Sequence, residues 1–510
     1  MLAGIASAAL LGVDAFRVDI EIDLARQGMP SFSMVGLAEG AVREAKERVF
    51  AALRNTGHKL PPSRITVNLA PASLRKGGSG YDLPLALGML VAAGVLPQQR
   101  LDGLFVAGEL SLTGEIKPVT GILPLTLLAR DSGARGVIVP RANAAEAAVV
   151  EGLEVWGMET LGEAVEFAAG RAEAQPEPCS ASDLWRRGDS WHVDFAEVKG
   201  QEHAKRAIEI AAAGAHNMLM IGPPGSGKTM LAQRIPTVLP PLSFTEALEV
   251  TKIYSVAGQL GAETALVTQR PFRTPHHTIS DPGLVGGGTH PRPGEVSMAH
   301  RGVLFLDELP EFRKSVLEVM RQPLEDGTVT ISRAALSLSY PADFMLVAAM
   351  NPCPCGYLSD ERHVCHCTAA QIQRYRSRLS GPLLDRIDLH VEVPAVQYDD
   401  LRHTGRGDSS AAMRERILQA RERQDKRYQG TPCVTNADLS GRWLEEYCRL
   451  GSAEHVFLEK AVSALALSAR AYTRILRIAR TIADLAGHDA ITCAGLAEAV
   501  NCRTLDRQRL

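Results

Sequence analysis

An apolar run from Met218 to Ile221 stops at Gly222, and Gly222-Pro223-Pro224-Gly225-Ser226-Gly227-Lys228-Thr229 follows before a helical pattern begins. This is a complete G-x-x-x-x-G-K-[ST] match in the context the motif requires, a buried strand before it and a helix after it. Glycines let the backbone wrap closely around phosphates with its N–H groups turned inward. A helix starting near Lys228 adds its positive N-terminal end. Lys228 is expected to reach the β- and γ-phosphates of ATP, and Thr229 to hold Mg²⁺. The competing reading is a chance Gly-rich turn.

Gly302 to Glu308 reads as an apolar strand ending in two acids. Asp307 is a second Mg²⁺ ligand and Glu308 polarises the attacking water in the nucleotide reading. Taken alone, two acids at a strand end would be a solvated terminus. A further buried strand, Phe344 to Met350, ends in Asn351, placed to sense the γ-phosphate or to make a plain strand-end turn.

At 510 residues the chain exceeds one ordinary domain. We expect a multidomain α/β chain divided as 1–170, a linker over 171–190, a P-loop core over 191–394 and a helical region over 395–510. A hydrophobic fraction of 45% and a charged fraction of 22% fit a soluble globular protein. The net charge of −3 announces no nucleic acid globally, which leaves a local basic surface open. Met1 to Val13 is apolar but lacks a basic n-region, so it reads as a buried strand rather than a signal peptide. No apolar run is long enough for a bilayer. Nine cysteines, four of them in one short cluster, point to a reducing cytoplasm and a metal site rather than disulfides.

In the first unit Val18 to Leu24 alternates apolar and acidic. Ala41 to Leu53 puts Val42, Ala45, Val49, Ala52 and Leu53 on one helical face. Ile65–Leu69, Leu104–Leu110 and Val137–Pro140 read as strands, and Tyr81–Val95 as an apolar helix, an α+β pattern with short strands. Lys76 to Pro84 and Gly108 to Gly121 resemble the Lon-type protease domain, a ribosomal-S5-like fold. That family uses a Ser nucleophile and a Lys base. Gly80 and Leu123 fall at those two positions, Ser79 is one residue off and Lys117 lies on another turn. An inactive scaffold or substrate-handling domain is expected. Trp185 and Trp191 are expected to pack the far end of the linker onto the next domain.

Between the two nucleotide motifs lies a Gly- and Pro-rich loop carrying Arg270, Arg273, His276, His277, Gly286 to Gly288 and Arg292. It reads as a flexible loop offering Arg and His to a polyanion, with subunit contacts or a metal site as alternatives. Gly327 to Tyr340 forms a hairpin with Arg333 near its tip. Cys353-x-Cys355 and Cys365-x-Cys367 supply four thiolates, enough for a tetrahedral Zn²⁺. His363 or His366 are possible substitutes, and free redox-active thiols or disulfides are the other readings. Arg386, in Leu-Leu-Asp-Arg-Ile-Asp, resembles the arginine-finger position of the magnesium-chelatase and MCM branch of AAA+ proteins, with a salt bridge to Asp385 or Asp388 as the alternative. Met413 to Tyr428 has few apolar positions and reads as a solvated helix. Arg470, Arg474 and Arg477 share one face of the helix that follows.

The chain as a whole resembles the ComM/YifB family of magnesium-chelatase-like AAA+ ATPases. The resemblance rests on the motifs above, on Thr274 to Ser280, on Pro293 to Leu309 and on Ala479 to Leu485. It implies an AAA+ core with a helical lid, ATP and Mg²⁺ as cofactors, a homo-hexameric ring and a cytoplasmic location without membrane contact. It also implies action on single-stranded or branched DNA, a helicase driving branch migration beside recombination proteins. In that scheme Arg386 acts in trans and Arg470 in cis as second sensor, with Arg474 as its alternative. The Arg333 hairpin and the His276/His277 loop would then move DNA in a central channel. A magnesium-chelatase motor and an ATP-driven protease or unfoldase are the rival readings.

Overall fold

The computed structural model describes residues 2–26, 29–178, 191–261, 264–288, 291–333, 336–358, 360, 362–396, 407–503 and 505, with Arg333 and Leu336 described by backbone alone. Trp185 and linker residues 179–190 lie outside the described residues. Residues just before them fold back on the first unit, where the Glu177 N–H donates to Val155 O at 2.8 Å.

The first unit is built on a seven-stranded mixed sheet in the order Ser31–Val35, Arg64–Ala70, Asp14–Ala25, Leu2–Leu11, Leu104–Val106, Gly136–Pro140, Glu154–Met158. Alternation does the sorting: Val18, Ile20, Ile22 and Leu24 face inward while the acids between them face water. The Gly40–Asn55 helix buries the five residues its periodicity indicates, Val42, Ala45, Val49, Ala52 and Leu53. The expectation of short strands fails for the first two, which run Leu2–Leu11 and Asp14–Ala25. A tight turn joins them, so hairpin pairing extends along both lengths.

The second unit holds five parallel strands in the order Phe272–Arg273, Val303–Leu306, Met345–Met350, Met218–Ile221, Leu389–Glu392. The three central strands are buried throughout, as parallel strands covered on both faces must be. Parallel pairing sends every strand end to a common rim. Gly222, Asp307 and Asn351 leave the C-terminal rim, and Asn217 and Asp388 approach the N-terminal rim, roughly 16 Å away by strand rise.

Among the described residues the α-helices Ser410–Tyr428, Gly441–Tyr447, Ser452–Ala464, Ala469–Leu485 and Cys493–Asn501 follow. The first of them overturns the solvated reading. Met413, Ile417, Ala420, Gln424 and Tyr428 are buried. Arg421 and Gln424 donate to Ala212 O and Ala213 O, the free carbonyls ending the Glu202–Gly214 helix, and Arg414 to Thr237 O. Arginine stems cover apolar surface while their guanidiniums cap carbonyls, so a charge-rich sequence can dock as a core helix. The first unit meets the second through Val13, packed with Ile253, Met298, Leu338 and Tyr340, and through Lys252 and Asp14 at 2.5 Å. Among the described residues no helix is long and apolar enough to cross a membrane.

Candidate nucleotide site and cysteine cluster

The phosphate loop begins where backbone crowding excludes side chains: a Cβ on Gly222 would lie 2.0 Å from Val393 O. Gly225 and Gly227 have φ of +75° and +89°, the left-handed turns that aim N–H groups into one hollow. The helix Lys228–Val238 starts at the lysine. Lys228 Nζ donates to Gly222 O at 2.7 Å and Pro223 O at 2.9 Å and lies 3.4 Å from Asn351 Oδ1. Burial lowers its pKa, with Asp307 opposing. A buried ammonium held by loop carbonyls is poised for a stronger, anionic partner.

Thr229 Oγ1 donates to Asp307 Oδ2 at 2.8 Å. A hydroxyl and a carboxylate side by side are hard oxygen donors of the kind Mg²⁺ takes, so these residues fit the ion. Glu308 turns sharply out of the strand, with φ +51°, while its N–H donates to Asp307 Oδ1 at 2.9 Å. The structure therefore brings Lys228, Thr229, Asp307, Glu308 and Asn351 onto one rim with the loop Gly222, Pro223, Pro224, Gly225, Ser226 and Gly227.

His277 joins them, which corrects its expected place on a free polyanion-binding loop. Its Nδ1 is 3.3 Å from Glu308 Oε2, its ring lies edge-on to Phe312, and the His276 ring lies tilted against it at 4.1 Å. The loop is also less free than its composition implies. Arg273 forms a two-pronged pair with Glu295 at 2.6 and 2.7 Å, and Arg270 donates to Pro240 O and Arg301 O. The signal for His277 is the short Phe272–Arg273 strand, which pairs in parallel beside Val303–Leu306 and so delivers the following residues to the same rim as Glu308. The hairpin is confirmed as Thr328–Arg333 paired with Leu336–Pro341, with Arg333 opposite Leu336 at the turn. Leu338 and Tyr340 are buried against the first unit, so one face of the hairpin is already occupied.

Arg386 and Arg470 sit on the opposite rim. The Arg386 carbonyl accepts from Asn217 Nδ2 at 3.0 Å, and Asn217 immediately precedes the phosphate-loop strand. Arg386 pairs with Glu325, not with Asp385 or Asp388, and its buried Nε has no hydrogen-bond partner among the described residues. Arg470 pairs with Asp385 at 2.5 Å and Arg474 with Asp388. This corrects the expectation that the arginine face of the Ala469–Leu485 helix looks at its own chain's phosphates. The helix docks along the turn before the Leu389–Glu392 strand, where Asp385 and Asp388 attract it. Burial and the neighbouring Arg321, Arg470 and Arg474 lower the pKa of Arg386.

Cys353, Cys355, Cys365 and Cys367 converge with all four Sγ atoms within 4.8 Å of one another. His363 is instead turned to Asp360 at 3.4 Å, with its ring tilted against Tyr357. No disulfide links the four cysteines to one another. In the first unit, Lys117 pairs with Glu115 at 2.6 Å on the surface. Asp82 is buried against Arg48 and the Leu110 N–H.

Family models match along most of the chain: "Subunit ChlI of Mg-chelatase" over 20–143, "Magnesium chelatase, subunit ChlI" over 194–401, and its C-terminal part over 407–503. The chain is 46% identical to the competence protein ComM of Haemophilus influenzae over 510 residues, covering 99% of this chain and 98% of that protein. The chain belongs to the ComM/YifB family of magnesium-chelatase-like proteins. YifB of Escherichia coli is 43% identical over 98% of this chain and 96% of its own length. The magnesium-chelatase 38 kDa subunit of Cereibacter sphaeroides is 24% identical over 39% of this chain and 58% of its own. This is a family of AAA+ ATPases, and membership implies ATP and Mg²⁺.

Proposed function

We propose that this chain hydrolyses ATP at the Lys228 rim, in a hexameric ring whose neighbouring subunits complete each site, and that the ring moves DNA. The observation that carries the reading is the convergence of Lys228, Thr229, Asp307, Glu308 and Asn351 at one strand rim. Lys228 and the loop N–H groups bind the phosphates, and Thr229 and Asp307 hold Mg²⁺. When bound, that ion neutralises charge on the β- and γ-oxygens. Glu308 orients and activates the attacking water, with His277 steadying its carboxylate, and Asn351 reads the γ-phosphate. Arg386 and Arg470, both turned away from their own chain's loop, serve the neighbour's nucleotide. For Arg470 this replaces a role in cis.

The division into 1–170, 171–190, 191–394 and 395–510 belongs to the same proposal. The first domain is an inactive Lon-like scaffold. Surface pairing of Lys117 with Glu115 supports this, because a Ser–Lys dyad needs a lysine free to act as base. DNA is favoured as the substrate by the competence role in the name of the Haemophilus relative. Arg333 at the hairpin turn and the exposed His276 are the contacts we assign to it, in a cytoplasmic protein working beside recombination proteins. A magnesium-chelatase-type motor is the second reading, favoured by the family descriptions.

ATP turnover with no DNA, single strands, duplex and a four-way junction, at two salt concentrations, tests both. Stimulation that fades with salt, with the junction resolved into products, is expected of a DNA motor. Turnover indifferent to every DNA removes the DNA reading and leaves the ATPase. Glu308→Gln is expected to bind ATP and barely turn it over.

A further inference from the structure

The cysteine cluster is built into the nucleotide site. The strand that ends at Met350 continues through Asn351 and Pro352 directly into Cys353, which is fully buried. Two residues after Cys353–Pro354, Gly356 presses on the phosphate loop: a Cβ there would lie 2.6 Å from Pro224 Cδ. On the far side Cys367 immediately precedes Thr368, the capping residue of the Ala369–Arg376 helix, whose Arg376 donates to Pro352 O at 3.4 Å. The cluster thus ties together Asn351, the Pro224 turn and that helix.

The sulfur geometry matches one ion. Cys353 and Cys365 are 3.7 Å apart, Cys355 and Cys365 3.6 Å, and Cys353 and Cys355 3.3 Å. A Zn–S bond of about 2.3 Å makes the edge of a regular ZnS₄ tetrahedron about 3.8 Å. A disulfide would bring two sulfurs to about 2.05 Å. An iron–sulfur cluster, whose own bulk lies between its thiolates, would hold them farther apart. Apolar packing does not hold the loop, since Leu358 and Val364 are exposed. A cross-link through metal supplies the order that burial does not.

We propose that Cys353, Cys355, Cys365 and Cys367 bind one Zn²⁺ per chain, and that this zinc clamps Asn351 and the Pro224 turn in place, so that ATP binding and turnover depend on zinc. The inference rests on the nucleotide reading of the Lys228 rim. Removing the ion frees Gly356 from Pro224 and lets Asn351 drift from Lys228.

The test uses the purified full-length protein. Zinc is counted by elemental analysis, then released with a mercurial while a colorimetric chelator records it. Affinity for a fluorescent ATP analogue and ATP turnover are measured before release, after it, and after Zn²⁺ is restored. We expect one zinc per chain and a turnover loss of roughly a hundredfold on release, the scale of an ångström misplacement at a reacting centre, recovered with zinc. Cys365→Ser with Cys367→Ser is expected to lose the metal and show the same deficit with an unchanged circular dichroism spectrum. Gly356→Ala is expected to keep zinc yet weaken ATP binding. Absence of zinc, or iron in its place, overturns the site. Full ATP binding and turnover after zinc release overturns the coupling. Stoichiometric zinc in a wild-type chain that binds no ATP overturns the nucleotide reading, and the coupling with it, while leaving the metal site intact.

Discussion

The two rims of the parallel sheet are both crowded with charge, yet they are built differently. On the C-terminal rim the phosphate loop wraps a lysine that is 8% exposed, and Thr229, Asp307 and Asn351 converge on the same hollow. These groups all come from one chain. On the N-terminal rim Arg386, Arg470 and Arg474 lie together, each paired with a single acid, and the Arg470 side chain is 72% exposed. The exposed Arg470 pair is a weak bond in water, exchangeable for a phosphate at small cost, whereas the Arg386 and Arg474 side chains are only 14% and 16% exposed. One rim gathers its groups from a single chain, and the other presents arginines that, in the proposed ring, meet a neighbour's nucleotide.

Arg386→Ala breaks this comparison most severely. Turnover is expected to fall by roughly 10³-fold or more, with ATP affinity little changed. Mixing it with Lys228→Ala chains is expected to recover part of the activity, since some interfaces then combine one intact loop with one intact arginine. No recovery in assembled mixtures would place Arg386 in its own chain's site. Lys228→Ala alone is expected to cost roughly 10² to 10³-fold, seen in both nucleotide binding and turnover.

Asp388→Asn probes stability. Burial alone would raise the pKa of Asp388, but Arg474 and His216 overcome it and hold the carboxyl well below the usual carboxylate range. A depressed folded pKa contributes stability above the unfolded value of about 4, and that contribution drains away as pH falls below it. The variant is expected to lose roughly 3 kcal/mol at neutral pH, from the unpaired Arg474, and to show a flatter decline in acid. Denaturant titrations at several pH values check both. Arg470→Ala, from an exposed pair, has the smallest expected effect, about tenfold in turnover with stability nearly untouched. Equal effects of Arg470→Ala and Arg386→Ala would erase the distinction between them.

Local patterns were readable where the chemistry is local. A phosphate loop is one turn, and its residue types are dictated by close backbone approach, so Gly222 to Thr229 could be read directly. The Gly40–Asn55 helix betrayed its buried face because one face meets one sheet. The Ser410–Tyr428 helix reads as solvated because its buried stripe, Met413, Ile417, Ala420 and Tyr428, is sparse among charges, and the arginines that dock it on carbonyls look like surface residues. His277 is legible as a candidate polyanion contact, but its place beside Glu308 is not, because a two-residue strand is too short to show a period, although its pairing partner fixes where the chain goes next.

The sequence by itself determined which residues can handle a triphosphate, because those demands fall on neighbours within a few positions. It also brought the two cysteine pairs into one short loop. Which rim each charge occupies follows from long-range pairing and docking. Parallel pairing sends Asn351 toward Lys228, and the docked helix carries Arg470 to Asp385 instead. Strand direction and helix docking arise from contacts between residues far apart in the chain, and no local spacing encodes them.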